Sequence, residues 1–195
     1  MGYKKPEIIT GIDSQPISRD NDLGYAQAQM EQINAHLLHD QGYMGGGIRI
    51  LVMDTGFDLT HEALTGINVI AQWDVINDDN ETANETEDEE NISQDYHGTA
   101  VLSTIAAFSP GNFIGVAPEA EFLLAKTEDV SQEIEQEEDN YVAGLEWGEE
   151  NGADIVSTSL GYLDWYEYSD LDGNTAVTTI GVDIAVGLGM VCVTA

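Results

Sequence analysis

The chain has 195 residues, of which 37 are acidic and 5 basic, for a formal net charge of −32. Such a balance excludes nucleic acid and anionic membrane surfaces as partners, because both recruit cationic side chains, while the length is enough for one domain with its own core. The lone Cys192 excludes a disulfide within the chain. No apolar run reaches the roughly 18 residues of a membrane span, and the first ten residues lack the apolar stretch of a signal peptide.

Residues 1–22 are polar, with scattered Gly, Pro, Ser and Asp, and are expected to form an extended lead-in. The spacing over 25–40 predicts a helix with Met30, Ile33, Ala35, Leu37 and Leu38 on its apolar face. Three glycines at 45–47 break it. Residues 48–53 are then apolar apart from Arg49, the pattern of a strand covered on both faces in a parallel sheet. A second strand is predicted over 67–73. Residues 74–95 are rich in Asp, Glu and Asn and too poor in apolar side chains to pack, so a long surface loop is expected.

A helix follows over 97–108 with Val101, Ile105 and Phe108 on one side, ended by Pro110 and Gly111. Strands are predicted over 121–126, 155–160 and 191–195, and helices over 133–151 and 174–188. The first of these two helices presents Ile134, Tyr141, Val142 and Leu145, and Asn151–Gly152 closes it. Cys192 lies in an apolar run and is read as a small hydrophobe rather than a reactive thiol. Strands alternate with helices throughout, which predicts an α/β fold with a mainly parallel sheet.

Two segments carry chemistry. Asp54 ends the first apolar strand, and in open α/β sheets functional groups gather at the carboxyl ends of strands. A plain turn-capping aspartate is the alternative. His97 begins a helix, and the positive end of the helix dipole favours the neutral imidazole that a general base requires. Taken together they suit a base and the carboxylate that holds its tautomer, in the order of the convergent triads in which Asp precedes His and Ser comes last.

Around these residues the chain resembles the subtilisin-like serine peptidases, the subtilases, from about residue 34 to 195. Asp-Thr-Gly-Phe-Asp-Leu-Thr-His at 54–61 is similar to that family's catalytic aspartate motif, and His-Gly-Thr-Ala-Val at 97–101 to its histidine motif. Residues 115–120 resemble the turn before a core strand, and 153–161 the substrate-binding strand. The resemblance implies a three-layer subtilisin-like fold, with a lead-in and helix start over 1–33 and part of the catalytic domain over 34–195, the acidic loop 74–95 being inserted. It implies that Asp54 orients His97, that His97 moves the proton, and that Ser159, Leu160 and Gly161 line the cleft and pair with an extended protein or peptide substrate. It implies a secreted enzyme.

Departures from the pattern limit that expectation. The family's Ala-Gly-Asn and Gly-Thr-Ser-Met turns, which supply the oxyanion donor and the nucleophile, do not occur in residues 1–195. The chain is therefore expected to be the N-terminal portion of a serine endopeptidase, inactive alone and a partner for the remaining C-terminal part of its own domain. The alternative is a non-catalytic pseudoprotease or peptide-binding fragment. No cofactor is required. Calcium is a structural option: Ala63 stands where many relatives carry a calcium-binding acid, but Asp78, Asp79 and Asp88 of the acidic loop supply oxygen ligands. A solvated loop is the other reading. His36, His39 and His61 have no zinc spacing and are read as structural.

Overall fold

The computed structural model describes residues 22–195, so most of the predicted lead-in, 1–22, lies outside the described residues. Two short helices, α1 (Gln27–Gln32) and α2 (Ala35–His39), stand where one helix was predicted. Asn34 separates them in the left-handed conformation, with φ of 60°. Of the expected apolar face only Met30 is buried; Ile33, Leu37 and Leu38 face solvent. Leu23, Ala26 and Met30 instead pack on Met44 and Ile114.

The remaining elements mix strands and helices as the sequence predicts, but alternate strictly only from β5 onward. Strands β1 (Arg49–Asp54) and β2 (Asn68–Asp74) are followed by helices α3 (Glu87–Ile92) and α4 (Tyr96–Ala106). Two-residue strands β3 (Phe108–Ser109) and β4 (Phe113–Ile114) form an antiparallel pair around the turn at Pro110–Gly111. Then come β5 (Glu121–Lys126), α5 (Gln136–Glu150), β6 (Ile155–Thr158), α6 (Val177–Leu188) and β7 (Val191–Thr194).

The five long strands form one parallel sheet in the order β2-β5-β1-β6-β7. Alternate residues of β1 serve the two faces. Ile50 and Val52 join Leu102 and Ala106 of α4 on one side; Leu51 and Met53 join Tyr141 and Leu145 of α5 and Ala185 of α6 on the other. The result is the three-layer arrangement, and it accounts for the apolar run Ile50 to Met53 of β1, which has no solvent-facing side.

Three expectations are corrected. The acidic segment 74–95 is not all loop: Thr86 caps α3 by accepting from Glu89 N–H while the Glu89 carboxylate reaches back to the Thr86 N–H, a capping box that stabilises a single acidic turn. In α4 the fully buried core residues are Leu102 and Ala106; Val101 and Ile105 pack half-buried beside them as predicted, whereas Phe108 is exposed in β3, because the helix stops at Ala106 and the periodicity stops with it. Helix α5 starts three residues later than predicted, which leaves Ile134 in the preceding turn and exposed; Tyr141 and Leu145 are buried as expected. Cys192 is half-buried against the α5–α6 side of the core, and burial pushes its thiol pKa up.

Candidate active site

The chain leaves β1 to build one side of the sheet, through β2 and β5, and later returns to β1 to add β6 and β7 on the other. The carboxyl end of β1 is thus the place where the winding reverses, and a crevice forms there in parallel sheets. Asp54 is the last residue of β1 and has no exposed surface. Its Oδ1 accepts the Thr55 N–H at 2.8 Å and lies 2.6 Å from His97 Nδ1. Its Oδ2 is buried and meets no donor among the described residues.

A carboxylate can only accept, so its bond to Nδ1 puts the ring proton on Nδ1 and leaves Nε2 as the free acceptor. His97 is the second residue of α4 and its side chain is half exposed (50%), so Nε2 is open to an incoming group. The histidine reaches Asp54 because α4 begins unusually close to the β1 turn. A Cβ on Gly98 would overlap the Gly56 carbonyl oxygen and come within 3.0 Å of Asp54 Cβ. Gly98 N–H donates to Thr55 Oγ1 at 3.3 Å. Thr99 Oγ1 donates to Asp95 O (2.6 Å) and accepts from Asp58 N–H (2.7 Å), pinning the helix start to the aspartate motif.

A second acid lies behind the pair. Glu128 follows β5, and Tyr162 O–H donates to its Oε2 at 3.0 Å. Burial raises the Glu128 pKa from the usual 4.5 to about 7; the Tyr162 hydrogen bond opposes this, while the negative charges of Glu137, Glu133 and Asp54 add to it. Tyr162 is itself buried, and its hydroxyl pKa is pushed up by burial and by the Glu128 charge. Glu138, at the start of α5 and 3% exposed, accepts from Trp165 Nε1 (2.8 Å) and Tyr166 O–H (3.0 Å) through Oε2. These contacts anchor the segment that follows β6 onto α5.

Ser159, Leu160 and Gly161 begin that segment, directly after β6. They make no backbone–backbone hydrogen bond to another described residue. Leu160 is buried in the core, whereas Gly161 is exposed with open space around its Cα. The proposed ligands of the acidic loop are not brought together. Asp79 lies with Asp74 and Glu85, their carboxylate oxygens within 4.8 Å of one another, but Asp78 and Asp88 stand outside this group. Asp74 is already paired with Lys126 Nζ at 2.9 Å, which makes the group a poor match for a calcium ion. His39 is buried with Nε2 2.9 Å from Val116 O, and His61 Nδ1 accepts the Ala63 N–H, so both are structural here.

Sequence reasoning missed Gln94, Glu128 and Tyr162. Gln94 sits in a stretch that reads as solvated loop, and no local pattern marks it as buried. Glu128 carried a weak signal, as an acid two residues beyond an apolar strand.

A three-layer parallel α/β fold with a buried carboxylate holding a half-exposed imidazole at the switch point is the framework of the subtilisin-like class of hydrolases. Residues 45–195 match the Subtilase family, and the chain belongs to it. Subtilisin E of Bacillus subtilis (strain 168) is 31% identical over 194 residues, a match covering 96% of this chain and 44% of that protein. The Major intracellular serine protease of the same organism is 36% identical over 160 residues, covering 79% of this chain and 46% of its own length. The chain thus spans less than half of these relatives. Among solved structures, fervidolysin from Fervidobacterium pennivorans, a keratinolytic enzyme related to subtilisin, superposes with a TM-score of 0.61 at 24% identity, over 94% of this chain and 26% of that one. That likeness shows the fold.

Proposed function

We propose that this chain carries the base and the orienting carboxylate of a serine endopeptidase, and that the whole protein hydrolyses peptide bonds in protein substrates through an acyl-enzyme. The observation that carries the reading is the 2.6 Å contact between buried Asp54 Oδ1 and His97 Nδ1, with the other ring nitrogen left open. In this reading Nε2 of His97 takes the proton from a serine hydroxyl as it attacks the scissile carbonyl. It later gives that proton to the leaving amine. Asp54 keeps the ring in the required tautomer and stabilises the imidazolium without taking the proton itself.

Ser159 to Gly161, whose backbone groups are uncommitted to the sheet, are assigned to hold an extended peptide by strand addition. Residues 34–195 are assigned to the catalytic domain and 1–33 to its lead-in. The nucleophile and the oxyanion donor are assigned to sequence outside residues 1–195, which therefore do not hydrolyse peptides by themselves. The chemistry calls for no cofactor. We place the protein outside the cell on its resemblance to secreted subtilases; recovery from the cell fraction rather than the medium would overturn that.

A fluorophosphonate probe tests the assignment. Offered to residues 1–195 and to the same residues joined to a serine-bearing C-terminal segment, it is expected to label the joined protein alone. Labelling of residues 1–195 would mean that the nucleophile is misassigned. Absence of labelling in both would favour a non-catalytic, peptide-binding protein.

A further inference from the structure

Gln94 is 2% exposed although it lies in the acidic, solvent-facing segment before α4. Its carboxamide touches three backbone groups. Nε2 donates to Thr55 O at 2.8 Å and to Glu128 O at 2.5 Å, and Oε1 accepts the Val130 N–H at 2.9 Å. The arrangement allows only one orientation of the amide. A flip would turn its oxygen onto two carbonyls and its donors onto an N–H.

Thr55 is held from two further directions. Its N–H donates to Asp54 Oδ1, and its Oγ1 accepts from Gly98 N–H, the residue after His97. Gln94 therefore grips the peptide next to Asp54 with one end and the loop carrying Glu128 with the other. No other described side chain spans these two segments by hydrogen bonds to their backbones. Both segments enter the site from different strands, β1 and β5, and β1–β5 ladder bonds end at Asp54 and Lys126. Beyond those residues Gln94 and the Thr127 N–H to Asp54 O bond (3.0 Å) maintain the spacing.

We infer that Gln94 is a positioning residue that fixes the Asp54 carboxylate against His97 by clamping Thr55 to the 128–130 loop. The inference rests on the Asp54–His97 reading above and adds a residue that touches neither of them. It predicts that the His97 Nδ1 proton is protected from solvent only while the clamp holds.

The test is proton NMR of the 195-residue protein, following the His97 Nδ1–H resonance, identified by its loss in His97→Gln. Gln94→Met keeps the length of the side chain and removes all three hydrogen bonds. Exchange of that proton with water is expected to rise about tenfold at a temperature where the variant stays folded. Leu145→Ala, a core change on the opposite face of the sheet, is expected to leave it unchanged at equal loss of stability. Equal rates in wild type and Gln94→Met, or equal acceleration in Leu145→Ala, would overturn the inference. Gln94→Asn, polar but too short to reach both segments, repeats the comparison if Gln94→Met does not fold; failure of both to fold makes Gln94 a determinant of the fold alone and also overturns it. A wild-type protein with no such protected proton would sink the Asp54–His97 reading first, and this inference with it.

Discussion

Asp54 and Asp74 end neighbouring arms of the same sheet, in register with the same residue, Lys126 of the strand between them, and neither has any exposed surface. Their surroundings differ completely. Asp74 is saturated: Oδ1 accepts from Ile76 and Asn77 N–H, and Oδ2 from Asn77 Nδ2 and from Lys126 Nζ, a cation that is 1% exposed. Glu89 of α3 takes the other side of that ammonium at 2.5 Å. Asp54 has one saturated oxygen and one buried oxygen without a donor, and its partner is a half-exposed ring. The buried charge at Asp74 is neutralised by a fixed cation and joins the acidic segment to the sheet. The one at Asp54 is held against a group that can gain and lose a proton. Burial is common to both carboxylates; what separates Asp54 is its unfilled acceptor and its exposed imidazole partner, the features on which the proposed role rests.

The contrast is broken or sharpened by substitution. Asp54→Asn in the serine-bearing protein is expected to lower the rate of fluorophosphonate labelling by about 10⁴-fold, the scale seen when a triad aspartate is lost, with little change in unfolding midpoint. A large stability loss with modest loss of labelling would make Asp54 a structural acid like Asp74. Lys126→Met is expected to cost about 3–5 kcal/mol in urea unfolding, because it strands Asp74 and Glu89 without their cation. A cost below about 1 kcal/mol would show that the pair is no more than a surface bridge.

Gly98→Ala is expected to cost about 1–3 kcal/mol and to weaken the His97–Asp54 contact, since the new methyl meets backbone rather than a yielding side chain; unchanged chemical shifts of His97 would contradict that. The smallest effect concerns pH. The Glu128 pKa is raised to about 7 in the fold, so the folded state holds a proton there that the unfolded chain has released. This contribution is complete below the usual 4.5 and is lost as pH rises through about 7. With part of the carboxyl reachable by water, wild type should lose only about 1 kcal/mol more than Glu128→Gln between pH 5 and 8. Parallel stability curves for the two proteins would remove Glu128 from the account.

How far the sequence revealed this depended on whether a residue's environment is set locally. Strand β1 was legible because both of its faces are buried, and β5 because its four apolar residues, Phe122 to Ala125, stand as one block between Glu121 and Lys126. Asp54 and His97 were legible because turn, helix start and glycine stand beside them in the chain. The first helix was misread because Asn34 interrupts it by a backbone conformation that apolar spacing does not register. The acidic segment hid α3, whose capping box is a four-residue signal inside a charged run. It also hid Gln94, whose burial is decided by Thr55, Glu128 and Val130, all distant in sequence.

The sheet also uses up the cations of the described region. Arg49 and Lys126 are the two lysine or arginine residues between 22 and 195. Arg49 is held in β1 by Glu121 and by the Asn151 carbonyl, and Lys126 sits in β5 between Asp74 and Glu89. A protease that cuts after basic residues therefore finds one target bond, Arg49–Ile50, inside β1 and the other, Lys126–Thr127, at the end of β5, where Lys126 O accepts the Val75 N–H and Thr127 N–H donates to Asp54 O. Trypsin can cleave the body of this protein only after the sheet opens, so two cuts, at Arg49 and Lys126, count the molecules that have unfolded.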